Sequence, residues 1–185
     1  MRTIRLASAS VSTLVAFSLV VACGGSCGSS QSGSERASLV RVGETAPPFS
    51  AQDQDARTRT LAELRGRPVV LYFYPRDATP GCTREACAFR DAWDRLSATG
   101  AQVIGVSTDD VASHRAFATE HRLQFPLLAD VDEAIVRAYG VPTTLGMAAR
   151  VTVIIGRDGR VTHVFPNVDP AVHVDEVLAA LAAPR

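Results

Sequence analysis

The chain reads as an α/β domain with a mixed central sheet flanked by helices, and three observations predict that class. From Leu39 onward, strand-like and helix-like hydrophobic periods alternate. Residues 69–74, Val-Val-Leu-Tyr-Phe-Tyr, form a continuous apolar run, as expected of a strand buried on both faces. Residues 151–155 and 161–165 flank Arg157-Asp158-Gly159-Arg160 and read as an antiparallel hairpin. Alternation followed by a hairpin and a last helix gives three layers with a sheet of mixed direction.

Taken in order, residues 40–61 contain prolines, are irregular at first and leave room for one or two short strands. The strand at 69–74 stops at Pro75. A helix is expected over 83–96, with Ala86, Phe89, Trp93 and Leu96 on its core face and an end near Gly100. Residues 103–106 form a second buried strand. Thr108 or Asp109 is placed to cap a helix running to about residue 120, with Val111, Phe117 and Ala118 apolar. A short strand at 125–129 and a short helix at 133–139, closed by Gly140, precede the hairpin, with Val141-Pro142-Thr143-Thr144 read as a loop. A terminal helix is expected over 172–181, and no internal repeat is found.

The first residues read as something other than fold. Arg2 and Arg5 flank an apolar stretch at 11–22 that is too short for a membrane-spanning helix, which needs about 20 apolar residues, but suits an export signal. It ends Leu19-Val20-Val21-Ala22-Cys23, followed by Gly24. This resembles the bacterial lipobox, which implies a lipoprotein signal at 1–22 and lipidation of Cys23. The expected location is therefore exported, lipid-anchored to a bacterial membrane. The bland alternative is an ordinary cleaved signal with an incidental cysteine. Residues 23–38, rich in Gly and Ser, read as a flexible tether, and 39–185 as the single folded domain. Lys plus Arg and Asp plus Glu number 19 each, so no net field argues for nucleic acid or an acidic partner.

The four cysteines then sort into one lipid site, Cys27 as an exposed tether thiol, and the pair Cys82 and Cys87 inside the domain. Cys82 follows the turn Thr79-Pro80-Gly81 at an expected helix start, where unpaired backbone N–H groups and the positive end of the helix dipole favour a thiolate. In an oxidising compartment a plain structural disulfide is the competing reading. Spacing opposes it: residues i and i+5 of a regular helix have Cα atoms about 8.6 Å apart, whereas a disulfide needs them within about 7 Å. A zinc site is weaker still, because the pair is C-x4-C and His114, His121, His163 and His173 are scattered. Those histidines read as surface or helix residues, and Glu85 as surface polarity near a helix start.

The run Pro75-x-x-x-Thr79-x-x-Cys82 resembles the peroxiredoxin active site. The stretches at 105–114 and 125–130, and Arg150 followed by Val151-Thr152-Val153, resemble the PrxQ or bacterioferritin-comigratory-protein subfamily. The resemblance covers about 42–181 and implies a thioredoxin-like fold. It implies a thiol-dependent peroxidase acting on hydrogen peroxide and organic hydroperoxides, with no metal or organic cofactor. Carried over, Cys82 is the peroxidatic nucleophile, Thr79 aligns the peroxide, Pro75 shields the sulfenate, and Arg150 stabilises the thiolate and the leaving oxygen. Cys87 matches the resolving position of the C-x4-C branch, so that Cys82 and Cys87 form the redox disulfide after the first helical turns unwind. A thioredoxin-like dithiol reductant and a monomeric state are implied as well. Two other readings compete. One is a membrane-tethered thiol–disulfide oxidoreductase, whose cis-proline loop Val141-Pro142-Thr143-Thr144 resembles but whose C-x-x-C is missing here. The other is a non-catalytic thioredoxin-fold binding module, which leaves Thr79 and Arg150 as coincidences.

Overall fold

The computed structural model describes residues 38–183. The signal, Cys23, Cys27 and most of the tether lie outside the described residues. The chain enters a short antiparallel pair, β1 (Ser50–Asp53) and β2 (Thr58–Thr60), then a 3-10 turn at Leu61–Leu64, and then β3 (Val69–Phe73). Helices α1 (Pro80–Asp91) and α2 (Trp93–Ala98) lead to β4 (Gln102–Ser107), α3 (Val111–His121), β5 (Leu127–Ala129) and α4 (Ala134–Tyr139). A two-stranded ribbon, β6 (Thr143–Thr144) with β7 (Met147–Ala148), precedes β8 (Val151–Ile155), β9 (Val161–Phe165) and α5 (His173–Ala182). The main sheet runs β2-β1-β5-β4-β3-β8-β9. β3, β4 and β5 are parallel; β1 runs antiparallel to β5, and β8 antiparallel to β3. This is the α/β arrangement with a mixed sheet that the hydrophobic pattern predicts, and the thioredoxin-like fold that the resemblance implies.

The apolar runs explain the order. All five residues of β3 and all five of β8 are buried, which requires a central position with a layer on each face. Alternate side chains feed two cores. Val69, Leu71 and Phe73 pack with Val106, Val153 and the α4 residues Ile135, Val136 and Tyr139. Val70, Tyr72 and Tyr74 pack on the opposite face with Ala86, Phe89, Phe117 and Val177 from α1, α3 and α5. Each fully buried large side chain contributes about 1.5–3 kcal/mol of transfer free energy.

Several boundaries differ from expectation. The first helix starts at Pro80, not residue 83: Thr79 is its extended N-cap, and proline suits the first helical turn because its missing N–H would be unpaired there anyway. The expected single helix to residue 96 breaks at Ala92, so Trp93 opens a separate short helix and stacks on Phe125. The cap of α3 is Asp110, whose side chain accepts from the Ser113 N–H, rather than Thr108 or Asp109. The expected loop at 141–144 contains β6. No peptide bond among the described residues is cis, so Pro142 leads into β6 through a trans bond.

Candidate active site

The site forms where β3 leaves the sheet. The chain leaves β3 at Phe73, turns through residues 75–79 and enters α1 at Pro80. Cys82 is the third residue of α1 and only 2% exposed. Arg150 lies 68 positions later in sequence, yet sheet register brings it to the same edge. Phe73 pairs with Val151 across the antiparallel β3–β8 contact, so the residue before β8 lies beside the residues that follow β3. Its Nη2 donates to Cys82 Sγ at 3.3 Å. Gly81 leaves room for that approach: a Cβ there would stand 3.2 Å from Arg150 Nη2, so the guanidinium would have to give by a few tenths of an ångström.

Thr79 provides the helix cap by backbone position alone. Its hydroxyl makes no capping bond and instead donates to the Arg76 carbonyl at 3.1 Å, which leaves its oxygen free to accept from a bound molecule. Pro75 is half-buried at the rim. Cys87 is also half-buried and, like Cys82, a free thiol. The two cysteines occupy one unbroken helix, five positions apart. Thus Pro75, Thr79, Cys82 and Arg150 are gathered at one helix end, while Cys87 stands more than a turn away.

Glu85 corrects the sequence reading. Far from being surface polarity, it is wholly buried and pairs with Arg150 through Oε2 and Nη1. A usable signal was its spacing: Cys82, Glu85, Ala86 and Phe89 share one helical face, and all four are buried. Burial pushes the Glu85 carboxyl up from its ordinary 4.5 to about 7, against the pull of Arg150. Its Oε1 is buried without a protein hydrogen-bond partner, which is where a proton gains most. Burial also works against the Arg150 charge, but Glu85 and the Cys82 sulfur outweigh it and hold the guanidinium above its ordinary value. The phenol of Tyr72, also buried without a partner, is pushed well up by burial and by the charges of Glu85, Asp77 and Cys82.

The raised Glu85 value has a definite sign for stability. Its contribution is fully present below about pH 4.5 and is lost as pH rises through about 7, a change of about 3 kcal/mol. Reduced wild type is therefore expected to lose a component of that size between pH 5 and pH 8 in urea unfolding, and Glu85→Gln to lack it. A Gln variant with the full wild-type slope would assign the titration to another group.

Of the histidines expected on the surface or in helices, His114 and His173 are helix residues, in α3 and α5, and both are fully buried. His173 Nε2 lies 2.8 Å from the Thr152 hydroxyl, and burial lowers its affinity for a proton. His114 Nδ1 lies 2.8 Å from Asp77 Oδ2, inside the loop that carries Thr79.

With this geometry established, comparison with known proteins gives a consistent result. Residues 42–164 match the AhpC/TSA family model. The chain is 43% identical over 145 residues to the chloroplastic peroxiredoxin Q of Populus jackii, covering 77% of this chain and 68% of that protein. Among solved structures, it resembles the peroxidoxin BcpB of Mycobacterium tuberculosis, with 37% identity and a TM-score of 0.74, over 79% of this chain and 99% of that one. It also resembles the bacterioferritin comigratory protein of Xanthomonas campestris, with 34% identity and a TM-score of 0.70, over 79% and 97% of the two chains. The chain therefore belongs to the AhpC/TSA family, among the peroxiredoxin Q and bacterioferritin-comigratory-protein homologues, and is a thiol-dependent peroxidase.

Proposed function

We propose that Cys82 is the peroxidatic cysteine and Cys87 its resolving partner. The observation that carries this reading is the guanidinium of Arg150 at 3.3 Å from Cys82 Sγ, over the N-terminus of α1. The Cys82 thiolate attacks one peroxide oxygen, the O–O bond breaks, and the second oxygen leaves as hydroxide or alkoxide and takes a proton. Cys82 becomes a sulfenic acid. Arg150 stabilises first the thiolate and then the departing oxygen, where charge develops. The Thr79 hydroxyl lines up the peroxide, and Pro75 limits water at the sulfur. The Cys87 thiolate then attacks the Cys82 sulfur, water leaves, and a disulfide forms. A thioredoxin-like dithiol donor returns both thiols.

The substrate class is hydrogen peroxide together with organic hydroperoxides. The alkyl peroxide reduction activity of the Xanthomonas campestris protein supports the organic part. Chemistry of this kind needs no metal or organic cofactor. The domain acts as a monomer, held on the periplasmic or extracytoplasmic face of a bacterial membrane through lipidated Cys23 and the Gly/Ser-rich tether; the sequence pattern Val-Val-Ala-Cys supports that location.

The test is peroxide consumption with a dithiol donor, combined with peptide-resolved mass spectrometry. Cys82→Ser is expected to lose turnover. Cys87→Ser is expected to consume one equivalent, carry the oxidation on Cys82 and then stall or over-oxidise. Full turnover by Cys82→Ser would refute the assignment.

A further inference from the structure

The active-site loop is held from behind by a buried polar cluster that the reaction scheme does not use. Asp77 sits in the middle of residues 75–79, with a side chain only 4% exposed. Its Oδ1 accepts from the Tyr74 hydroxyl at 2.8 Å. Its Oδ2 accepts from the Ser113 hydroxyl at 2.8 Å and faces His114 Nδ1 at 2.8 Å. The Asp77 N–H is fixed as well, donating to Asp109 Oδ2 at 2.8 Å, and that same oxygen accepts from the Ser107 hydroxyl at 2.7 Å. One residue is thus tied by backbone to the end of β4 and by side chain to the first turn of α3.

The neighbouring backbone shows why such a grip is needed. Ala78 has φ +53°, a left-handed conformation that is strained for a non-glycine residue and persists only where surroundings impose it. Ala78 is itself exposed and offers no packing to impose it. Asp77 on one side and the helical N-terminus on the other are the two fixed ends. Between them lies Thr79, whose hydroxyl must stand at a set distance from the Cys82 sulfur. Burial opposes ionisation of Asp77, but the bonds from His114, Ser113 and Tyr74 outweigh it, so the carboxylate stays charged and keeps all three partners.

We propose that Asp77, held by Ser113 and His114, is a positioning residue for the peroxide step: it fixes the strained 75–79 loop so that Thr79 meets the peroxide beside Cys82. It touches no substrate. Its role is geometric, and it should therefore separate two reactions of the same sulfur. Peroxide reduction needs Thr79 and Arg150 aligned along the O–O bond, whereas alkylation by a small neutral reagent needs only an accessible thiolate.

This inference rests on the peroxidase reading, and the test keeps the two apart. In the full chain carrying Cys87→Ser, Asp77→Ala and Ser113→Ala are compared with the parent for Cys82 oxidation by hydrogen peroxide and for Cys82 alkylation by iodoacetamide, both followed by peptide mass spectrometry. Asp77→Ala is expected to slow oxidation by about 10- to 100-fold while alkylation changes by less than about threefold, the range of a misplaced but intact catalytic group. Ser113→Ala removes one hydroxyl from a half-exposed position and is expected to lower the ratio of the two rates by at least about threefold. It decides the matter alone if Asp77→Ala does not fold. A smaller change in that ratio, including a parallel fall in both reactions, overturns the inference. A parent that peroxide fails to oxidise at Cys82 overturns the peroxidase reading and this inference together.

Discussion

Replacing Arg150 with methionine is expected to slow Cys82 oxidation by about 10²–10³-fold, the effect of removing one preorganised donor from a site where charge develops. Methionine retains much of the apolar stem, so the change isolates the guanidinium. Two interactions disappear with it: the 3.3 Å bond to the sulfur and the pair with Glu85. The second loss matters because Glu85 is fully buried and its remaining oxygen has no partner. Without Arg150 the carboxyl is neutral over a wider pH range, so the variant's slow oxidation does not reflect an added negative charge beside the sulfur. Arg150→Lys is expected to recover only part of the rate. A single ammonium does not reproduce the fork that reaches Sγ with Nη2 and the carboxylate with Nη1. Stopped-flow oxidation at fixed pH checks this, and a methionine variant within threefold of wild type would remove Arg150 from the chemistry.

What the sequence made legible follows from how each feature is encoded. The strands at the centre of the sheet are uninterrupted apolar runs, and the β8–β9 hairpin is flanked by its own turn residues, so both were readable within a few positions. The break at Ala92 was not, because α1 and α2 both bury residues on one side, and the apolar spacing continues across the break. β6 and β7 are two residues each and carry no periodicity to detect. Cys82, Thr79 and Pro75 stand close in sequence and can be found as a pattern. Glu85 and Asp77 depend on partners 65 and 37 positions away, which only the sheet register and the packing of α3 bring near. A polar residue on an otherwise apolar helical face was still a local clue for Glu85. Asp77 offered none, since an aspartate in a turn is ordinary.

Formation of the Cys82–Cys87 disulfide is expected to cost α1 its first two turns and to leave the rest of the helix in place. The two residues are the third and eighth of an unbroken twelve-residue helix. Their Cα atoms, about 8.6 Å apart in regular geometry, must close to within about 7 Å, and rotamer changes alone do not supply that. The helix must therefore open between them, drawing Cys82 out of its buried position and away from Arg150. Two contacts set the limit of opening. Phe89 is fully buried, stacks on Tyr72 with ring centroids 4.9 Å apart, and meets Phe125 and His173 edge-on. Arg90 Nη1 donates to the His121 carbonyl at 2.9 Å, pinning the following turn to the end of α3. Unwinding should stop short of Phe89. In hydrogen exchange, amides at 83–88, the first of which donates to the Thr79 carbonyl, are expected to lose at least about 100-fold protection on oxidation, which corresponds to about 2.7 kcal/mol of local stability. Amides from Ala92, which donates to the Ala88 carbonyl, through α2 should change little. An oxidised protein with a verified Cys82–Cys87 bond and reduced-state protection at 83–88 would show that the pair closes inside a folded helix. A loss of protection extending through α2 would instead show that Phe89 and Arg90 do not confine it.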